Sequence, residues 1–564
     1  MVAVRMQKMR LFRKDPGLFW TLVVIWVALG VFILYPFARL FASAFLPDGR
    51  FSFAQFKETF GNAYNLKALG NSLTLALLVA TAGTLLGYAF ALLVCRTNLP
   101  HFTKGLISGV VLLPLISPPF TSSISLTLAL GPNGYLLRLF GVDNFQIYGL
   151  LGTWISETLT YFPVAFMVIT SVLNTMSANL DDAALSLGAS SSRILRTVTI
   201  PLSLPGIANS FLLLFGSSLA DFATPLILGG HTFPVLPTQA YLQITGMFDL
   251  HGGATLSFML LVPALVIFWI QHMILGGKSY VTVTGKSGAQ SHFSSLPTWL
   301  IVVMTIVCTA VVAFVLYLYG IILVGSFVKV WGVDTTPTLQ NYRYAFKNGR
   351  KAVTDTLVIA FVSTVIGSIL GVIVGYVTQR KKFVGKRFLE FCSLLNYALP
   401  GTVVGIAYIT AFNKRPFVLT GTLTILVAAY VFRYYATGIR ATMASLEQID
   451  PSLEEASMSL GAGTVSTFTH VTVPLIIPAV LTGIRYLLIH SMTAISATIF
   501  LVSVRWTLLT TRILESMTEL QFTQACAFSV ILIVLVFLAD GLFAFLMKLY
   551  QEKFLRNSQE GVKA

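Results

Sequence analysis

Six ionisable side chains stand nearly alone inside long apolar stretches of this 564-residue chain: Glu157, Asp221, Arg433, Arg485, His490 and Asp540. A charge at membrane depth is costly, so such residues mark a path for an ion or polar solute, or pair with one another. The set mixes signs and has no H-x-x-E ligand spacing. It outlines no metal cage, and no metal ligand set is assigned. Glu157, Asp221, Arg433, Arg485 and His490 are the candidates for a translocation path. Arg433 and Arg485 also suit snorkelling or internal pairing, and Asp540 suits a cap near a helix end. Two stretches invite nucleotide chemistry, "GGKS" at Gly276–Ser279 and "TGKS" at Thr284–Ser287. A phosphate loop needs G-x-x-x-x-G-K-S/T, whose first glycine would fall at His272 or Tyr280. Neither stretch qualifies, and no catalytic residue is assigned. Cys95, Cys308, Cys392 and Cys526 are scattered singly without C-x-x-C spacing and read as small packing residues.

Those side chains need elements to hold them. The chain is 56% hydrophobic and 10% charged, more apolar surface than a soluble protein of this size can hide. Apolar runs fall at 18–42, 70–94, 106–129, 148–173, 204–225 and 255–275, then at 299–328, 354–378, 388–412, 420–439, 476–502 and 524–547. Each is long enough to cross a hydrocarbon core of about 30 Å as a helix, the element that satisfies its own backbone there. The first run follows Arg5, Lys8, Arg10, Arg13 and Lys14 and precedes Ala42-Ser43-Ala44, which resembles a signal-peptide ending. It is too long for a signal core and has a counterpart midway along the chain, so it is expected to be a retained span.

The expected fold is therefore all-α: 12 transmembrane helices as two parallel six-helix repeats. The expected divisions are a module at 1–275, a cytoplasmic linker at 276–298 and a second module at 299–564. Positive loop charge places both termini in the cytoplasm, although Arg343, Lys347, Arg350 and Lys351 fall outside under this orientation. The net charge of +16 is assigned to loops facing anionic membrane lipid. No basic run interleaved with aromatics points to nucleic acid.

The two halves repeat in detail. "NSLTLALLVATAGTLLG" at Asn71–Gly87 aligns with "DTLVIAFVSTVIGSILG" at Asp355–Gly371, and Arg96 and Arg380 close the two runs at the same offset. Gly83 and Gly87 match Gly367 and Gly371, with Gly375 continuing the series, a spacing that lets helix backbones approach closely. Between the fourth and fifth runs of each half lies the same polar insert, 273 residues apart. One copy reads Asp182-Ala183-Ala184, three residues, Gly188, nine residues, then an apolar stretch ending at Pro201. The other reads Glu455-Ala456-Ser457, three residues, Gly461, nine residues, then a stretch ending at Pro474. The pattern predicts a helix, a glycine turn and a second short helix. Asp450-Pro451 is a start signal. Leu180, Ala183, Ala184 and Leu187 share one face, as do Leu453, Ala456, Ser457 and Leu460, and this narrow face suits a partner's groove.

This constellation resembles the E-A-A-x3-G-x9-I-x-L-P coupling loop of ABC importer permeases. Asp182 stands for Glu, Ser457 for the second Ala, and Val or Ile for the last apolar positions. The stretches "LLPLISPPF" at Leu112–Phe120, "SLADFATPLILGG" at Ser218–Gly230, "ALPGTVVGIAYI" at Ala398–Ile409 and "SATIFL" at Ser496–Leu501 look like the fused ferric-iron-type permeases. Ala494 departs by occupying the place of an acidic residue.

The resemblance implies a type I fold in a bacterial inner membrane, and a transport subunit rather than an enzyme. It implies as partners two cytoplasmic ATPase subunits and a periplasmic or lipid-anchored substrate-binding protein. No cofactor is expected on this chain, and ATP-Mg is expected on the ATPase. The residues implied to transmit force are Asp182, Ala183, Ala184, Gly188 and Pro201, with Glu455, Ala456, Ser457, Gly461 and Pro474. Ferric iron is the expected cargo. A phosphonate, a sugar phosphate or another small anion is the alternative within the same machine. A proton-coupled secondary transporter would explain the repeat, but not two loops of identical spacing.

Overall fold

The computed structural model describes residues 16–46, 49–132, 134, 141, 145–177, 179–275 and 296–561. The linker from 276 to 295 and the basic N-terminal cluster of Arg5, Lys8, Arg10, Arg13 and Lys14 lie outside the described residues, as do both lysine-serine stretches. The molecule is built of helices. Among the described residues the strands are one short antiparallel pair, β1 (Val328–Val330) and β2 (Asp334–Pro337).

The first half contains α1 (Gly17–Phe45), α2 (Ala63–Cys95), α3 (His101–Ile116), α4 (Thr121–Leu130) and α5 (Leu150–Thr175). It continues through a short α6 (Asn179–Ser186), α7 (Ser191–Ala220), α8 (Ala223–Leu228), α9 (Leu236–Thr245) and α10 (Leu250–Leu275). The second half repeats the order with α11 (Thr298–Ser326), α12 (Arg350–Arg380), α13 (Lys386–Ala398), α14 (Gly401–Phe412) and α15 (Leu423–Glu447). A short α16 (Ser452–Ser459), α17 (Thr464–Thr493), α18 (Leu509–Thr518) and α19 (Phe522–Gly561) complete it.

Among the described residues nine helices are long and apolar enough to span a membrane, or eleven if each of two bent pairs counts once. The runs at 106–129 and 388–412 are those bent pairs. α3 turns into α4 by 102°, and α13 turns into α14 by 108°. Proline explains both breaks. Ser117 precedes Pro118 and Leu399 precedes Pro400, and both take extended backbone, because a following proline ring crowds the helical conformation. The run at 420–439 becomes α15, which has the length of a span but carries Arg433, Arg440 and Glu447.

Each half has a three-helix centre, α2 with α5 and α7 in one and α12 with α15 and α17 in the other. Small residues set the spacing. A Cβ on Gly83 would fall 2.4 Å from Leu214, and one on Gly367 would fall 2.5 Å from Leu487, the position 273 residues later. Gly87 is pressed against Ala165 and the Phe166 backbone, and Gly375 against Thr442. The small-residue stripe is therefore a packing device, as its spacing suggests.

The first helix of each half packs on the other half. α1 lies along α14, where the Tyr408 hydroxyl donates to the Phe32 carbonyl at 2.6 Å and Phe32 stacks on Phe432 at 5.3 Å. Phe32 sits in a π turn at Gly30–Leu34. Conversely, α11 lies along α4. There Tyr319 and Ser117 share a hydrogen bond, and the Trp331 indole donates to the Leu128 carbonyl at 3.0 Å. This exchange yields two mixed hydrophobic cores, each containing residues from both halves. The linear order of the runs does not reveal it.

Candidate functional site

The two polar inserts fold alike. α6 and α16 are short helices whose first turns hold Asp181-Asp182 and Glu454-Glu455, where the helix dipole favours negative charge. At the start of α16 the Ser452 N–H donates to the Asp450 carboxylate at 2.9 Å, as the Asp-Pro start signal predicts. Asp450 lies outside the spanning helices, and that hydrogen bond holds its carboxyl below the usual carboxylate range.

Both helices end at a glycine of positive φ, +78° at Gly188 and +89° at Gly461. The Ala189 N–H reaches the Ala184 carbonyl at 3.0 Å, and the Ala462 N–H reaches the Ser457 carbonyl at 3.2 Å. These bonds complete the left-handed helix ending that glycine permits. The expected second short helix is not separate. In each half it runs on into the next spanning helix through a π turn, at Leu195–Thr199 and Phe468–Thr472. Pro201 and Pro474 follow those turns within the first two residues of the α-helical stretch. A proline lacks the amide and crowds the carbonyl four residues back, so the ladder widens just before it.

Each insert is fastened by one acid and presents the next. Asp181 is buried and pairs with Arg96 at 2.6 Å. Glu454 is buried and pairs with Arg380 at 3.1 Å, while accepting from the Tyr376 and Thr472 hydroxyls at 3.2 Å each. The aligned acids Asp182 and Glu455 instead face outward, together with Ala183 and Ala456. Ala184 is half-buried, and Ser457 uses its hydroxyl to bond Thr467 at 3.0 Å. Leu187 is 88% exposed and Leu460 is 90% exposed at the tips. The alignment did not single out the fastening acids, although the doublets and the arginines ending α2 and α12 were its signal.

A cavity of about 320 Å³ lies between the halves. Of the path candidates it brings together Asp221, Arg433 and His490. Pro119 and Pro400, from the breaks of the two bent pairs, also line it. Asp221 caps α8, accepting from the Ala223 and Thr224 amides at 3.0 and 3.4 Å and from the Tyr161 hydroxyl at 3.1 Å. Its counterpart 273 residues on, Ala494, lines the same cavity without a charge. Glu157 is fully buried behind this wall and accepts from Ser218. Arg485 is held elsewhere, in an ion pair with Asp540 between α17 and α19.

Tyrosines are the lining group that charge alone did not reveal. Tyr161 and Tyr434 are equivalent positions of the two halves, and Tyr397 and Tyr486 join them. Arg433 donates to the Leu399 carbonyl at 3.1 Å and lies over Tyr434. Arg440 is exposed and lies over Tyr397. Helical spacing carried a signal for these: Arg433 and Arg440 are seven apart, and Tyr486 and His490 four apart. Among the described residues no group of three His, Cys, Asp or Glu could hold a metal ion.

The sequence matches the family described as binding-protein-dependent transport system inner membrane component twice, at residues 83–280 and 367–556. It is 35% identical over 540 residues to the ferric transport system permease protein FbpB of Actinobacillus pleuropneumoniae, covering 94% of this chain and 78% of that protein. It is also 35% identical to a putative ferric transport system permease protein FbpB of Haemophilus influenzae, covering 89% and 81% of the two chains. A single-module relative, the molybdenum transport system permease protein ModB of Haemophilus influenzae, is 33% identical over 191 residues, 31% of this chain and 81% of its own. With two family matches, nine to eleven apolar spans among the described residues and long relatives of this kind, the chain belongs to the binding-protein-dependent transport system inner membrane components, as a multi-pass protein carrying the unit twice.

Proposed function

We propose that this chain is the transmembrane permease subunit of an ATP-driven importer for ferric iron. It receives the ion from a separate substrate-binding protein, passes it through the central cavity and releases it to the cytoplasm. Two cytoplasmic ATPase subunits hold ATP-Mg and dock on α6 and α16, and the chain itself is a transport subunit, not an enzyme. In this reading each half crosses the membrane six times with the type I arrangement. The modules are 1–275 and 299–564, joined by a cytoplasmic linker at 276–298, with both termini cytoplasmic. Membrane lipid surrounds the outer faces.

The observation that carries the proposal is the pair of exposed helices of one geometry. Each ends in a left-handed glycine and an outward leucine, Leu187 or Leu460, and each is fastened by a buried ion pair to its own half. Two like knobs at equivalent positions suit two like sockets, and nucleotide-driven closure of a socket pair would move the halves as bodies. Iron as cargo is supported by the two long relatives named as ferric transport permeases.

Arg433 and Arg440 in the cavity favour a second reading, an importer of a small anion such as a phosphonate or sugar phosphate. The test is uptake into vesicles holding the chain with its ATPase and binding protein. Radioactive ferric iron should accumulate only with ATP and binding protein present, and a protonophore should leave it unchanged. Accumulation of phosphonate but not iron would replace the first reading with the second. Uptake that survives ATP depletion and collapses with the proton gradient would reject both.

A further inference from the structure

We infer that the cavity passes ferric iron together with an oxyanion bound to it, a phosphate or citrate complex, rather than as a bare cation; this rests on the ferric reading above. The charged side chains lining the cavity are Arg433, Arg440 and Asp221. Asp221 is already engaged on both oxygens: Oδ1 accepts from the Ala223 and Thr224 amides at the start of α8, and Oδ2 accepts from the Tyr161 hydroxyl. Both guanidiniums stand over tyrosine rings, an arrangement that leaves donor edges for a further acceptor.

The wall that meets the cargo is therefore cationic and rich in hydroxyl donors. Coulomb repulsion grows with the product of the charges, so a trication suffers most beside a guanidinium. Ferric iron is hard and seeks anionic oxygen, and among the described residues no group of three His, Cys, Asp or Glu is placed to hold it. An iron–oxyanion complex resolves the conflict. Its outward oxygens accept from Arg433, from Arg440 and from the hydroxyls of Tyr434 and Tyr486. Arginine is the side chain best matched to carboxylate and phosphate oxygens. The asymmetry of the halves fits this. Arg433 and Arg440 stand where the first half has Thr160 and Met167, and His490 where it has Ser217. The second half supplies the anion-facing wall, whereas the first supplies the capped acid.

The test uses the full assembly in vesicles, with the binding protein loaded with radioactive iron and either labelled phosphate or labelled citrate as the sole complexing anion. The expected result is ATP-dependent entry of one of the labelled anions in equal amount with iron. The double variant R433Q/R440Q should lower iron entry about tenfold or more, the scale of losing hydrogen bonds to a charged group. R433K/R440K should retain part of it, which separates charge loss from misfolding. Iron entering without either labelled anion, at a rate the glutamine variant leaves unchanged, would overturn the inference while leaving the ferric reading intact. Labelled anion entering with no iron would remove the ferric reading and the inference with it.

Discussion

Arg96 and Asp181 lie 2.6 Å apart with side chains 3% and 2% exposed, binding the short helix α6 to the end of α2. Arg380 and Glu454 repeat the pair between α12 and α16. In the proposed importer a docking helix would transmit force only if its base were fixed, and these pairs fix the bases of α6 and α16. Removing one partner strands a buried charge, which costs about 3–5 kcal/mol. Asp181→Ala and Arg96→Ala should each lower the thermal midpoint of the detergent-solubilised chain, measured by fluorescence-detected size exclusion. The apolar double replacement Arg96→Met with Asp181→Leu should recover most of the loss. A single variant as stable as the parent would contradict this role.

Gly188 and Gly461 turn the chain at φ of +78° and +89°, with open space where a Cβ would go. The cost of substitution is therefore backbone strain, not a clash. Gly461→Val should cost about 1–3 kcal/mol locally and tilt α16 out of register with its socket. The expected phenotype is near-normal assembly in the membrane with transport lost. Iron uptake in vesicles at parental rate would exclude the turn from coupling.

The close approach at Gly87 behaves differently. A Cβ there would meet the Phe166 backbone nitrogen at 2.7 Å, so neither α2 nor α5 can yield by rotating a side chain. Gly87→Leu should destabilise the chain by at least the about 1–3 kcal/mol typical of overpacking. Gly105→Leu, at a site with nothing within 4 Å, should be tolerated. The contrast in thermal midpoints between the two variants is the measurement.

Asp450 gives a pH-dependent effect outside the spanning helices. Its carboxyl is depressed by the Ser452 hydrogen bond. A depressed carboxylate stabilises the fold above its unfolded value, near 3.9, and that contribution fades as pH falls through the lower folded value. Amides in the first turn of α16 should be better protected from hydrogen exchange in the parent than in Asp450→Ala at neutral pH. The difference should vanish in strong acid once intrinsic rates are normalised. Equal protection at neutral pH would show that the cap does not form.

Much of this architecture was legible in local sequence. Apolar length located the spans, small-residue spacing located the contacts of Gly83 and Gly367, and the Asp450-Pro451 pair and the two glycines marked ends of α6 and α16. These are local features, set within a few residues of the signal. The crossing of α1 onto α14 was not legible, because Tyr408 and Phe32 are 376 residues apart and nothing in either run names its partner. The right-angle bends at Pro118 and Pro400 were hidden inside runs of normal length. In the cavity, Arg485 looked as suitable as Arg433. Only tertiary packing separates a guanidinium turned to Asp540 from one lining the cavity. The motif picks out Asp182 and not its buried neighbour Asp181, because spacing alone carries no information on which of two adjacent acids is buried.

Site-directed crosslinking tests whether α6 and α16 are the two knobs that enter the ATPase sockets. In a chain whose four native cysteines are replaced, Leu187→Cys and Leu460→Cys should each crosslink to the partner ATPase through a short bifunctional reagent. The yield should change when ATP is added. Val504→Cys, 93% exposed and beyond the opposite end of α17, should give no crosslink. Crosslinking at Val504 with none at Leu187 or Leu460 would show that the ATPase docks elsewhere.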